Sequence, residues 1–292
     1  MKKTILLTGS TGFLGSQILK KLVKKECFNI IILKRSFSNI FRIEKNLEKV
    51  KIYDIDTCKL ENIFKENNID IILHTATQYG RKHESIIDIV ETNLMLPLNL
   101  INLAKLYNVS TFINTDTLLD KRISSYALSK KQFRNWLQYY SNDMICINVS
   151  LEHFFGPNDD NTKFVTFILK NLIDEVDSLD LTKGEQERDF IYIDDVVDAF
   201  ILIIENINNK NGFLEYEIGS GINIKLKDFI LKIATIVGNK KTKLNFGALK
   251  YRKNEVMISH VNLSEISKLG WYPKVKFEDG LKRTINLEKG SA

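Results

Sequence analysis

The chain is expected to fold as an α/β protein on a doubly wound parallel sheet, and three features of its order carry that expectation. A glycine-rich turn, Thr8-Gly9-Ser10-Thr11-Gly12-Phe13-Leu14-Gly15, sits between a short apolar run and a helical stretch. Strand-like and helix-like segments then alternate as far as Asn114. The strand-like runs are almost continuously apolar, the pattern of strands covered on both faces.

Thr4-Ile5-Leu6-Leu7 reads as the first strand, and Ser16 to Lys25 sets Ile18, Leu19, Leu22 and Val23 at helical spacing. Between them the glycines serve distinct physical purposes, since one makes the tight bend, one lets the backbone approach a pyrophosphate, and one lets helix and strand pack closely. The helix start offers N–H groups and a partial positive charge to phosphates. Gly9, Thr11, Gly12, Phe13, Leu14 and Gly15 are therefore candidate dinucleotide contacts. A second strand follows in Asn29-Ile30-Ile31-Ile32-Leu33-Lys34-Arg35-Ser36. An NAD site places an acidic residue there for the ribose 2'-hydroxyl, whereas an NADP site needs cations for the 2'-phosphate. Lys34 and Arg35, with Ser36 beside them, set the expectation of NADP(H), with NAD(H) as the alternative.

Val50-Lys51-Ile52-Tyr53-Asp54-Ile55 reads as a third strand, and a helical stretch leads to Asn67. The fourth strand is Asp70-Ile71-Ile72-Leu73-His74-Thr75-Ala76-Thr77, whose His74 has no metal partner and reads as structural. Glu84 to Tyr107 is helical and contains Asn93, and Thr111-Phe112-Ile113-Asn114 is the fifth strand. Ligands of such sheets sit beyond the carboxyl ends of the strands, so the residues after Asn114 are where chemistry is expected.

Those residues are Thr115-Asp116-Thr117, followed by Tyr126-Ala127-Leu128-Ser129-Lys130. Tyr126 and Lys130 are four apart and share one face of a helix. A free tyrosine, with a pKa of about 10, is a poor base at neutral pH and needs a neighbouring cation to favour its phenolate. Lys130 and an oxidised nicotinamide supply that charge in this reading, and Lys130 also bonds the nicotinamide ribose.

Gly9, Gly12 and Gly15 at three-residue intervals, followed at a distance by the hydroxyl cluster, Tyr126 and Lys130, resemble the short-chain dehydrogenase/reductase superfamily and its Ser/Thr, Tyr, Lys triad. Counting from Val109 favours Thr117 as the triad hydroxyl, and matching Thr115-Asp116 to the Thr-Asp-Glu of nucleotide-sugar 4,6-dehydratases favours Thr115; both stay open, with Thr117 preferred. Leu151 through Pro157, the run Gly184 to Val196 with Arg188-Asp189-Phe190-Ile191-Tyr192, Glu215 to Gly221, and Leu269-Gly270-Trp271-Tyr272-Pro273 resemble the extended branch that acts on nucleotide sugars. That resemblance implies a Rossmann domain over residues 1–155 and a smaller nucleotide-sugar lobe over 156–292, with some strands returning to the first. It also implies Asp54 and Ile55 at the adenine, Thr75, Ala76 and Thr77 against the cofactor, and Asn93 supporting the active-site backbone. For the substrate it implies Asp116, His153, Gln186 at the base, Arg188 and Arg252 at the diphosphate, and Glu255, which with Arg252 resembles a late Arg-x-x-Glu. Ser150 and His153 stand where arginine and asparagine are frequent, so contacts there do not transfer. A homodimer is the implied assembly.

Composition removes other classes. The 292 residues, 44% hydrophobic and 27% charged, can bury a substantial core and are not those of a disordered chain. No apolar run approaches the roughly 18 residues that span a bilayer, and Ile5-Leu6-Leu7 is too short for a signal peptide core, so a cytoplasmic protein without a membrane partner is expected. Cys27, Cys58 and Cys146 lack disulfide or zinc spacing, which fits a reducing compartment and no metal. The net charge of +6 is scattered among 36 acidic residues and does not make a nucleic-acid surface. Gly290-Ser291-Ala292 reads as an expression scar.

The expected reaction follows from what the cluster lacks. A 4,6-dehydratase needs a glutamate after Thr-Asp, and Thr117 stands there; a 4-epimerase is often NAD-linked, which Lys34 and Arg35 disfavour. NADPH-dependent reduction of a nucleotide-linked 4-keto-6-deoxy sugar remains, and Leu151 through Pro157 with Thr115-Asp116-Thr117 is similar to CDP-dideoxyhexose 4-ketoreductases. Epimerase and dehydratase are the alternatives, and a non-catalytic dinucleotide sensor is a third.

Overall fold

The structure, a computed structural model, describes residues 2–81, 83–207 and 212–289; Gly290-Ser291-Ala292 lie outside them. The chain divides into two compact units, Met1–Leu151 with Val197–Glu217, and Glu152–Val196 with Ile218–Ala292.

The first unit is built in chain order from β1 (Lys3–Thr8), α1 (Phe13–Lys25), β2 (Phe28–Lys34), β3 (Lys51–Asp54), α2 (Leu60–Glu66), β4 (Ile71–His74), α3 (Ile86–Val90), α4 (Leu96–Leu106), β5 (Thr111–Thr117), α5 (Ser125–Tyr139) and β6 (Ile145–Leu151). From Glu152 the chain enters the second unit with β7 (His153–Phe155), α6 (Phe164–Ile173), β8 (Ser178–Leu181) and β9 (Glu187–Tyr192). It then returns through α7 (Ile193–Glu205) and β10 (Gly212–Ile218). The seven strands of the main sheet run β3-β2-β1-β4-β5-β6-β10, and every pairing from β3 to β6 is parallel. This is the expected doubly wound sheet. Strand order reverses between β2-β1 and β4, which puts the switch point beside the glycine turn.

Burial explains the apolar runs. Ile5, Leu6 and Leu7 of β1 and Ile72 and Leu73 of β4 are fully enclosed. One core cluster joins Leu6, Ile31, Ile72 and Phe112 of the sheet to Leu100, Ile101 and Ala104 of α4 and to Phe133 and Leu137 of α5. β5 runs three residues beyond the expected Asn114, to Thr117, because β6 pairs with it through Thr117 and Leu151. β4 ends opposite Asn114, so the Thr-Asp-Thr tail is held as strand by β6 alone.

The expected helix from Glu84 to Tyr107 begins at Ile86, where the Ser85 hydroxyl and Asp88 form a capping box, and is interrupted by a π-helical turn over Glu91–Met95 between α3 and α4. Taken together Ile86–Leu106 spans 21 residues and is long and apolar enough to cross a membrane by length and composition, which revises the reading that nothing in the chain approaches that length. Its polar interruptions hid it from a search for unbroken runs. One face, with Ile89, Leu100, Ile101 and Ala104, is buried within the first unit.

In the second unit β9 is flanked by β7, parallel, and β11 (Asn223–Lys225), antiparallel. α8 (Leu226–Val237), β12 (Lys243–Phe246), α9 (Ser264–Ser267) and α10 (Phe277–Lys289) complete it, with β12 parallel to β8. Phe190 of β9 stacks on Phe229 of α8 at 3.9 Å between ring centres, and Phe277 of α10 packs on both. The late sequence motifs are largely scaffold. Asp189 accepts the backbone N–H groups of Ser220 (2.7 Å) and Gly221 (2.6 Å), holding a turn whose Gly221 has φ +76°. Trp271 donates its indole N–H to the Asp195 carbonyl at 3.1 Å, and the Asp195 carboxylate accepts the Val275 N–H at 2.9 Å.

Asp189→Ala leaves two backbone donors without their acceptor and should lower the free energy of unfolding by about 2–5 kcal/mol, read by urea titration. An unchanged midpoint would contradict the scaffold role given to Asp189.

Candidate active site

The glycine turn is fixed by contact with the chain that follows β4. Gly9 has φ +68°, and a Cβ on it would lie 2.5 Å from the Ala76 nitrogen. A Cβ on Gly15 would collide with the Gly9 carbonyl oxygen and the Thr75 hydroxyl, so Gly15 lets α1 settle onto the turn. Gly12 is different. It is the N-cap of α1, without a side-chain cap and with no acidic residue in the first helical turn, and its missing Cβ faces only the Gly9 oxygen at 3.2 Å. Phe13 and Leu14 are buried behind it. The open, positive helix start and the bare backbone at Gly12 suit a phosphate.

Thr8 locks this geometry. Its hydroxyl accepts the N–H groups of Thr75 and Ala76, both at 3.2 Å, while the Thr75 hydroxyl donates to the Thr8 carbonyl at 2.7 Å. With both acceptor directions used, the Thr8 proton goes to His74 Nδ1, 2.9 Å away, which fixes the Nε2–H tautomer. His74 is fully buried, and burial together with the Lys130 charge holds its pKa well below the ordinary value, so the ring is neutral and structural. Thr75 and Ala76 thus spend their N–H groups on Thr8 and offer a flat backbone, with half-buried Thr77 continuing it.

At the end of β2, Lys34 is paired with Asp54 at 3.1 Å and Arg35 with Asp56 at 3.6 Å. Asp54 also accepts the Asp56 N–H, and Ser36 donates its N–H to Asp56. Although burial opposes it, the Asp56 N–H, the Ser36 hydroxyl and Lys34 hold the Asp54 carboxyl below its ordinary pKa. The Ile55 N–H returns to the Lys34 carbonyl. The two cations singled out in the sequence therefore meet carboxylates, Lys34 at Asp54 and Arg35 at Asp56.

β5 and α5 bring the catalytic candidates together. Thr115 and Thr117, two apart on a strand, share one face, and Tyr126 and Lys130 share one face of α5, which is capped by the Ser124 hydroxyl. The Thr117 hydroxyl accepts the Leu119 N–H at 3.2 Å and acts on the Tyr126 phenol, whereas Thr115 Oγ1 is buried with no hydrogen-bond partner among the described residues. Lys130 is 1% exposed, its Nζ likewise has no partner among them, and burial pushes its pKa down to about 8 against the raising effect of Asp116. Such a buried, unpaired ammonium is costly unless a ligand completes it. Together with the Thr115 hydroxyl and the bare Gly12, it fits a nicotinamide dinucleotide.

Burial raises the Tyr126 phenol well above its ordinary pKa, with Tyr79 and Asp116 adding to the shift and Thr117 and Arg81 opposing it. The phenol is protonated at neutral pH, the state of a proton donor. The Asp116 side chain is fully buried, and its carboxylate accepts from the Thr117 N–H, from Asn148 at 3.1 Å and from Lys131 at 3.4 Å. Asn93 lies in the π turn, fully buried. Its amide accepts the Gln78 N–H and donates to the Gln78 carbonyl, both at 2.8 Å, and donates to Ser129 at 3.1 Å, which matches backbone support and leaves no free atom for a cofactor.

That support has an outcome the sequence did not suggest. With Gln78 pinned, the Tyr79 ring rests on Tyr126 at 4.9 Å, and the Arg81 guanidinium lies over Tyr79 at 4.8 Å. An aromatic and a cation just after the fourth strand were the only signal.

In the second unit, Arg188 is buried and paired with Glu255, and it donates to the Glu187 carbonyl. β9 carries Arg188 to Glu255, while Arg252, three residues before Glu255, is exposed. Gln186, expected at a base, is buried and donates to the Thr182 hydroxyl at 3.2 Å. His153 lies 3.1 Å from Glu152 and against the Phe190 ring.

Fold and site together define the scaffold of a nicotinamide-dinucleotide-dependent enzyme. Residues 5–219 match the NAD dependent epimerase/dehydratase family, and the chain belongs to that family. CDP-abequose synthase of Salmonella typhimurium is 32% identical over 98% of both chains, and that of Salmonella muenchen 34% over 99% of both. Among solved structures, a UDP-glucose 4-epimerase of Thermotoga maritima superposes with TM-score 0.85 at 22% identity over 99% of each chain. A UDP-glucuronic acid 4-epimerase of Bacillus cereus gives 0.86 at 22%, covering 99% of this chain and 100% of its own. These structural likenesses speak to the fold.

The Lys130 pKa has a consequence for stability. Its folded value of about 8 lies below the unfolded 10.5, so burial of the charge penalises folding fully below pH 8 and the penalty fades as pH rises to 10.5. Without ligand, Lys130→Met should be more stable than the parent at pH 7 by up to about 3 kcal/mol, at about 1.4 kcal/mol per unit. That advantage should vanish toward pH 10.5 in melts of the two proteins compared across pH. A pH-independent difference would contradict the burial of a charged lysine.

Proposed function

We propose that this chain reduces a nucleotide-linked 4-keto-6-deoxy sugar at C4 with NADPH. The observation that carries the reading is that half-buried Tyr126 shares one helical face with Lys130, whose buried Nζ has no hydrogen-bond partner among the described residues, while Thr117 occupies the place of a dehydratase's glutamate. The CDP-abequose synthase relatives support a nucleotide sugar as the substrate class.

Bound NADPH supplies the hydride. The chain supplies the rest. Gly12 and the start of α1 receive the pyrophosphate, and Lys130 Nζ holds the ribose hydroxyls, which gives its buried charge the partners it lacks. The Thr115 hydroxyl, free to donate, orients the carbonyl, and Thr117 keeps the Tyr126 hydroxyl in place. The phenol donates its proton to the carbonyl oxygen as C4 becomes a carbinol. In the second unit the exposed Arg252 takes the diphosphate, while Arg188 spends its guanidinium on Glu255 and orders the segment around it.

Tyr126→Phe should lower turnover by about 100-fold or more, the scale of general acid help, with the NADPH dissociation constant unchanged. Incubation with several nucleotide 4-keto sugars should consume NADPH one for one with product. Conversion of a 4-hydroxy sugar with no net NADPH oxidation would replace the reductase by an epimerase.

A further inference from the structure

The charges around the end of β2 do not favour a phosphate where the sequence put it. Lys34 is matched by Asp54 and Arg35 by Asp56, so a phosphate brought to this strand end meets as many carboxylates as cations. Another cation reaches the glycine turn itself. Arg42, in the loop after β2, donates to the Thr11 carbonyl at 3.4 Å, and its guanidinium lies over the Phe41 ring at 4.5 Å. The loop is anchored there. Ile43 is fully buried, and its N–H bonds the Ile40 carbonyl at 2.8 Å, so Arg42 is held half-buried against the turn.

Two further cations gather at the same place. Lys20 of α1 is held below the ordinary lysine pKa by burial, then by the charges of Arg42 and Lys45. Three cations thus share one side of a nucleotide-binding turn, a setting that favours an anion. The location selects which anion. β1 and β2 lie side by side with Thr8 opposite Leu33, and the adenosine ribose of a dinucleotide falls between the turn after β1 and the end of β2. A planar guanidinium fork at that boundary suits a phosphate monoester on the ribose.

We propose that Arg42, flanked by Lys20 and Lys45, is the 2'-phosphate subsite that selects NADPH over NADH, in place of Lys34 and Arg35. This rests on the reading that the chain binds a nicotinamide dinucleotide, and it names the residue that sets the cofactor's class.

The test is calorimetric titration of the full chain with NADPH, NADH and 2',5'-ADP, a fragment that carries the phosphate without the nicotinamide. Arg42→Met should weaken NADPH and 2',5'-ADP by about 10- to 100-fold, the worth of a charge-assisted contact, and leave NADH unchanged. Arg42→Lys should recover part of the loss, and thermal melts of both variants establish that they are folded. Lys34→Met combined with Arg35→Met should keep the NADPH preference. The proposal is overturned if Arg42→Met preserves the NADPH to NADH ratio, if the double variant abolishes it, or if the parent binds both cofactors equally. A parent that binds neither dinucleotide overturns the cofactor reading as well, which separates that failure from a misplaced subsite.

Discussion

The close approach of the glycine turn to the chain after β4 is the constraint on which the rest of the first unit depends. Gly9 lies so near Ala76 that only a hydrogen fits, and Thr8 stitches the two segments with its hydroxyl and its carbonyl. From that contact follow the aim of α1, the flat backbone at Thr75 and Ala76, and the tautomer of His74. The neutral imidazole matters in turn for Lys130. An imidazolium beside that buried ammonium would add repulsion to a site already burdened by desolvation.

The polar interior of β5, β6 and α5 is organised on opposite strand faces. Thr115 and Thr117 form the face associated with Tyr126, while Asp116 is engaged with Asn148 and Lys131. Asn148 also reaches Ser150, and Arg134 grips Glu215 of β10 with bonds of 2.6 and 2.5 Å. A carboxylate in the middle of a catalytic sequence motif thus serves the scaffold. Its neighbours serve chemistry because the strand alternates.

Much of this was legible because it is written in local periodicity. The alternation of apolar runs with helical spacing marks a doubly wound sheet, and the four-residue step from Tyr126 to Lys130 places both on one helical face. Residues whose meaning depends on contacts distant in sequence were not legible. Arg188 and Glu255 are 67 positions apart, and no spacing announces that they pair. Lys34 and Asp54 lie on adjacent strands whose register, Lys34 opposite Asp54, comes from packing. The Arg42 loop carries no motif at all. Gln186, expected at a base, is buried with its amide on the Thr182 hydroxyl, a contact that no spacing in the sequence announces.

The route of the chain between its units bears on how the protein is made. β6 ends at Leu151, and β10, its neighbour on the outer side of the sheet, begins only at Gly212, after a whole segment of the second unit has been synthesised. A strand whose every residue is buried in the finished protein therefore spends that interval of translation as an open sheet edge. Unpaired apolar edges are templates for association with other chains. The nascent protein is most vulnerable to misassembly in the stretch between these two strands, and slowing translation across the second unit's first segment would prolong that exposure.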